Sequence, residues 1–151
     1  MTTTIFEFMS VDHDRLDNTF EEFKKLNKTD MKGAKAVFLD FKAGLHKHIA
    51  WEEDILFPIF EQATGMHDAG PTAVMRMEHR QIEELLEEIG GKVLAGELDG
   101  IDEAEIGLLD VLGSHNEKEE TILYPAIDNL TSEQEKEKAI TRMTEMPSED
   151  L

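Results

Sequence analysis

The chain has 151 residues, and 34 acidic against 15 basic side chains leave a formal charge of −19 at neutral pH. That length suits one domain that buries a core without covalent staples, and the lack of any cysteine excludes thiolate-held iron–sulfur clusters, Cys-type zinc sites, c-type haem attachment and a cysteine nucleophile. The acid excess argues against a surface that neutralises phosphates, so neither nucleic acid nor membrane is an expected partner, and chemistry is left to His, Asp, Glu or a bound cofactor.

The start, MTTTIFEFMSVDHD, has no basic n-region or long apolar stretch, and no run approaches the roughly eighteen apolar residues of a membrane span, so a cytoplasmic protein is expected. Helical spacing dominates from there. Ile5, Met9, Leu16, Phe20 and Phe23 form a first stripe, with His13 filling its gap. After Asn27–Gly33 a second stripe runs Ala34, Phe38, Phe41, Leu45, then His48 and Glu52, then Ile55 and Ile59. Gly65 to Gly70 breaks the chain, and Pro71 suits a first helical residue. Val74, Met75, Ile82, Leu85, Leu86 and Ile89 make a third stripe around His79, and Gly96 and Gly100 loosen the next connection. The fourth is Ala104, Leu108, Leu112, then His115 and Glu119, then Ile122 and Ala126. The pattern predicts an all-α, antiparallel up-down-up-down four-helix bundle over residues 1–130. Residues 131–151 read as a polar C-terminal extension with a short helix, since Ser132 and Glu135 have capping-box spacing, and the last few residues are expected to fray. Pro58 and Pro125 fall inside helical patterns, where each removes a backbone hydrogen bond.

These prolines occupy matching places in an internal helix-pair repeat. HIAWEEDILFP (His48 to Pro58) and HNEKEETILYP (His115 to Pro125) agree at seven of eleven positions, counting Phe/Tyr as a match. Upstream, DHDRLDNTFEEF around His13 loosely matches EHRQIEELLEEI around His79, at an offset of 66 residues against 67 for His48 to His115. Each half therefore offers a lone His on one helix and His-x-x-x-Glu on the next. Residues four apart share a helix face, about 6 Å apart along the axis, so a His and a Glu can address one ion. Four imidazoles and two carboxylates on inward stripes cannot stay buried and unpaired without a cost on the order of kilocalories each. Two metal ions satisfy them together, two His per ion with Glu52 and Glu119 bridging; this donor set suits iron, with manganese or zinc as alternatives.

The DH and EHR pairs and the two H-x-x-x-E-E-x-I-L-[FY]-P segments resemble the hemerythrin-like, or HHE cation-binding, domain over essentially residues 1–130. The resemblance implies a four-helix bundle holding two non-haem iron ions with an oxo or hydroxo bridge, ligated by His13, His48, Glu52, His79, His115 and Glu119. Met75 stands where oxygen-carrying hemerythrins have an extra histidine, and Glu119 is four, not five, residues after His115. The four-His, two-Glu set is similar to the di-iron domain of iron-centre repair proteins, which usually add a cysteine-bearing domain.

Around this set Asp17 and Glu83, four residues after His13 and His79, are read as carboxylates that orient an imidazole from outside or face solvent. Glu53 and Glu120 are read as solvent-facing neighbours, with the choice between Glu119 and Glu120 as bridge left open. His46 and His67 are expected at the surface, and Trp51, Phe57 and Tyr124 as packing residues. Met75 and Tyr124 are candidates for tuning the site from its edge. The expected function is a di-iron protein that binds or reacts with a small oxidant (dioxygen, nitric oxide or peroxide) in sensing, storage or detoxification. The alternatives are iron donation for iron–sulfur cluster repair and a peroxidase or nitric-oxide-consuming enzyme.

Overall fold

The computed structural model describes residues 3–147, so the fraying expected of the final residues lies outside the described part of the chain. Among the described residues all regular structure is helical. Helix α1 (Ile5–Leu26) starts at a capping box between Thr4 and Glu7, and α2 (Met31–Trp51) starts where Asp30 accepts from the Gly33 amide. α2 runs through a π-helical segment (Glu52–Leu56) into α3 (Phe57–Thr64), which stops at Gly65 with φ 76°. α4 (Pro71–Ala95) ends at Gly96 with φ 70°. α5 (Ile101–Lys118) passes through a second π-helical segment (Glu119–Leu123) into α6 (Tyr124–Leu130), and α7 (Glu133–Glu145) begins at the Ser132–Glu135 capping box.

The α2–α3 and α5–α6 pairs are thus two long rods, and with α1 and α4 they make four. Contacts between the rods fix their directions. Along α1, Asp12 meets His48 and Phe20 meets Phe41, while Ile5, His13 and Asn27 meet Asp128, Glu120 and Glu105 of the fourth rod. On both neighbours the partner number falls as the α1 number rises, so both run antiparallel to α1. Lys42 with Glu87 and His79 with Glu53 give the same relation between the second rod and α4. The bundle is up-down-up-down, as the stripes predict.

The prolines explain the π-helical segments. Pro58 and Pro125 have no N–H to return to the carbonyl four residues earlier, and the ring would crowd it. The chain widens by one residue instead: the Phe57 amide bonds to the Glu52 carbonyl and the Tyr124 amide to the Glu119 carbonyl. The extra residue turns the stripe beyond each Glu. Leu123 and Tyr124 point inward, while Ile122, expected on the buried stripe, is exposed; Val74, in the first turn of α4, is also exposed.

Two apolar clusters sandwich the polar repeat residues. One, toward the α1–α2 and α4–α5 connections, includes Phe20, Phe38, Phe41, Leu86 and Leu108. The other includes Ile5, Met9, Phe57, Leu123 and Tyr124 and is closed by Ala139 and Met143 of α7. Burial of each such large side chain contributes roughly 1.5–3 kcal/mol, so the clusters hold the rods in register on both sides of a costly polar layer. Among the described residues no helix is long and apolar enough to cross a membrane.

Candidate metal centre

All six expected ligands reach one buried layer. His13 on α1, His48 on α2, His79 on α4 and His115 on α5 are each at most 3% exposed, and Glu52 and Glu119, the first residues of the two π-helical segments, are fully buried. The four Nε2 atoms turn inward. His13 Nε2 lies 3.2 Å from Glu119 Oε1, His115 Nε2 3.2 Å from Glu119 Oε2, and His79 Nε2 3.0 Å from Glu52 Oε1. His48 Nε2 is farther from Glu52 Oε1, at 3.9 Å.

Two metal-sized groups of donors result: Glu52, His79, His115 and Glu119 in one, and His13, His48 and Glu119 in the other, each with ligand atoms within 4.8 Å of one another. Glu119 belongs to both, whereas Glu120 lies outside the layer on His13 Nδ1. The Tyr124 hydroxyl completes the second group's surroundings. It stands 2.7 Å from Glu52 Oε2 and 2.9 Å from Glu119 Oε1, able to donate to either, and 3.3 and 3.4 Å from His13 and His48 Nε2. Expected as a packing residue or at the site's edge, Tyr124 is fully buried among the six expected ligands.

The outward ring nitrogens carry the main departure from expectation. Each Nδ1 meets a carboxylate: Asp12 on His48 at 2.7 Å, Glu53 on His79 at 2.6 Å, Glu78 on His115 at 2.9 Å and Glu120 on His13 at 3.0 Å. Each carboxylate is next in sequence to an inward-facing residue of its own rod, yet serves the imidazole of the following rod, so the four bonds close a ring around the bundle. Consecutive helical residues lie about 100° apart, which aims the neighbour of an inward ligand at the adjacent helix. Asp17 and Glu83 do not take this role. A residue four positions on stacks one turn along the same face; Asp17 is exposed, and Glu83 pairs with Arg80. Nor do Glu53 and Glu120 face solvent freely, their side chains being 16% and 34% exposed. The DH, EH and EE dipeptides were the available signal, but it is legible only once the order of rods around the bundle is known. Met75 is buried in the α7-side cluster, His46 is half-buried in a surface cleft, and His67 is exposed.

The charges are mutually dependent. Burial opposes protonation of His13, but Glu119 and Glu120 outweigh it and hold its pKa up at about 9; Glu52 and Glu53 hold His79 up at about 9 in the same way. Burial and then the Glu119 charge push Glu52 upward. Burial would raise Glu119 too, but hydrogen bonding from Glu52 and the His115 and His13 imidazoles keep it well below the usual range. Burial also raises the Tyr124 phenol well above its ordinary value, which keeps the hydroxyl a proton donor.

The donor set fits a metal pair on two observations. Glu119 Oε2 is buried and has no hydrogen bond, although His115 Nε2 is only 3.2 Å away; an ion held between the two atoms would satisfy both. Donors about 2.0–2.2 Å from one ion stand about 3–4 Å apart, as these do. A carboxylate on each Nδ1 holds the proton there and leaves Nε2 free to coordinate.

Comparison with known proteins agrees with this chemistry. The sequence profile described as the hemerythrin HHE cation binding domain matches residues 4–140. The iron-sulfur cluster repair protein YtfE of Edwardsiella ictaluri is 49% identical over 45 residues, 30% of this chain and 20% of that protein. The proteins of the same name from Cronobacter sakazakii and Escherichia coli K12 are 47% identical over the same length and shares. The similarity thus spans a fifth of the length of these relatives. No solved structure matches the chain.

Proposed function

The chain belongs to the hemerythrin HHE cation-binding family, and on that premise we propose that it holds two non-haem iron ions and binds or reacts with a small oxidant: dioxygen, nitric oxide or peroxide. His79, His115, Glu52 and Glu119 would hold one ion, and His13, His48 and Glu119 the other. The iron pair would supply one-electron redox chemistry and free coordination positions. The chain's own residues do the rest. Asp12, Glu53, Glu78 and Glu120 fix the imidazole rings, Tyr124 presents an O–H to the two inner carboxylates, and apolar clusters on both sides exclude water. The observation that carries the reading is the buried convergence of four Nε2 atoms and two carboxylates with Glu119 Oε2 left unbonded. Metal analysis together with anaerobic optical spectra tests it. The expected result is about two irons per chain and a change in visible absorption on adding dioxygen or nitric oxide; an iron-loaded, fully reduced sample that responds to neither refutes it.

A second reading rests on the similarity to the repair proteins: iron held here is delivered to damaged iron–sulfur clusters. It predicts iron that a weak chelator removes readily and that restores an apo-cluster protein, whereas the first reading predicts retained iron and a reversible or catalytic response to the oxidant.

A further inference from the structure

Two cavities meet at one wall. The inner one is small, about 10 Å³ of space for the centre of a water-sized sphere. Its floor is the four ligand imidazoles and Glu52, and its roof is Phe41, Leu45, Ile82 and Leu112 of the first apolar cluster. Tyr124 lies in the opposite cluster, so this is the face of the site that the phenol does not cover. The outer cavity is a surface groove of about 570 Å³ between α1 and the fourth rod. Asp17, Leu112 and Asn116 line both. The groove also carries Glu21, Glu117 and Glu120, and among the described residues no cationic side chain lines it. Gly113 forms part of its wall, and a Cβ added there would meet no atom within 4 Å.

We propose that this groove, narrowing at Asp17, Leu112 and Asn116, is the passage by which ligand reaches the metal centre, and that it selects small uncharged molecules such as dioxygen and nitric oxide over anions. The inference rests on the oxidant-binding reading above and adds the ligand class and the route. Size selection follows from the inner cavity, which has room for about one water-sized molecule. Charge selection follows from four carboxylates at the mouth: an anion meets a repulsive field that salt screens, and a neutral diatomic does not. This also assigns Asp17 a place, since it hydrogen-bonds no imidazole yet lines both cavities.

Stopped-flow mixing of the iron-loaded protein with nitric oxide (reduced) and with azide (oxidised) tests the passage. Association of azide should quicken with ionic strength, and that of nitric oxide should not. Asp17→Asn combined with Glu117→Gln should speed azide several-fold at low salt and leave nitric oxide unchanged. Gly113→Phe, whose ring enters the groove on the helix that carries Leu112 and Asn116, should slow both at least tenfold, while Gly113→Ala should not. A readout free of iron chemistry is the paramagnetic relaxation that dissolved dioxygen imposes on methyl resonances of the zinc-loaded protein. Leu45, Ile82 and Leu112 should be relaxed in the wild type and protected by Gly113→Phe. Unchanged nitric oxide rates and unchanged methyl relaxation in Gly113→Phe overturn the passage. An iron-loaded protein indifferent to nitric oxide refutes the functional reading instead, and the relaxation pattern still decides the route.

Discussion

Removing the carboxylate of Asp12 tests the ring of outer bonds most sharply. Asp12 is 8% exposed, its Oδ2 lies 2.7 Å from His48 Nδ1, and its Oδ1 lies 2.8 Å from the Arg15 guanidinium. Asp12→Ala leaves the His48 N–H without an acceptor in a buried layer, whereas Arg15, with 52% of its side chain exposed, can return to water. A hydrogen bond with a charged partner contributes roughly 1.5–3 kcal/mol. At about 1.36 kcal/mol per factor of ten, the ion on the His13–His48 side should bind roughly 10- to 150-fold more weakly. The loss should fall on one step of a two-step isotherm, because the His79–His115 group keeps Glu53 and Glu78. Competition with a chromophoric chelator at pH 7 measures it. Asp12→Asn keeps an acceptor oxygen and should lose less. Asp17→Ala, four residues after His13 but bonded to no imidazole, should stay within about twofold, the spread expected where no contact is lost. If Asp17→Ala weakens binding as much as Asp12→Ala, or if Asp12→Ala binds both ions normally, the assignment of the outer carboxylates is wrong.

Three further outcomes follow from the same geometry. His48→Ala and His115→Ala should each cut the bound metal from about two ions to about one by elemental analysis, while a bundle whose histidines are only structural would show no change. In the metal-free protein His13 and His79 titrate at about 9 against an ordinary value of 6.5. A raised folded-state value means stability that is complete below about pH 6.5 and lost as pH climbs through 9, so the urea midpoint should fall over that range; metal loading, which displaces those protons, should abolish the fall. At the far end of the bundle Glu105 is 4% exposed, burial and then Asp102 push its pKa up, and the Oδ1 of its partner Asn27 has no hydrogen bond. Glu105→Gln removes the buried charge and offers an N–H to that oxygen. It should raise the melting temperature by roughly 2–4 °C for about 1 kcal/mol gained, an advantage that fades as pH falls through the raised folded-state value and is gone below about 4.5; a lower melting temperature at pH 7 would contradict this account.

Much was legible before folding because helices repeat on a short period. Stripes at three- and four-residue spacing placed His13, His48, His79 and His115 inward, and the repeated His-x-x-x-Glu segments paired two of them with Glu52 and Glu119 on the same face. Those relations are local: they follow from the pitch of a single helix, and the sequence by itself determines them. Which carboxylate meets which Nδ1 is not local. Asp12 serves His48, and Glu120 serves His13, across 36 and 107 residues of chain, so the pairing exists only once the four rods are ordered around a common axis. The i, i+4 rule that paired each His with its Glu pointed instead to Asp17 and Glu83. It describes neighbours on one helix, and these bonds cross between helices. Tyr124 is a second case. The stripe beyond Glu119 pointed Ile122 inward, but the widened turn that accommodates Pro125 rotates Tyr124 onto both inner carboxylates. Pitch alone put these histidines and glutamates on inward faces; tertiary packing decided that they meet in one layer and what holds them there, because that depends on the distance and order of helices and not on the spacing of residues.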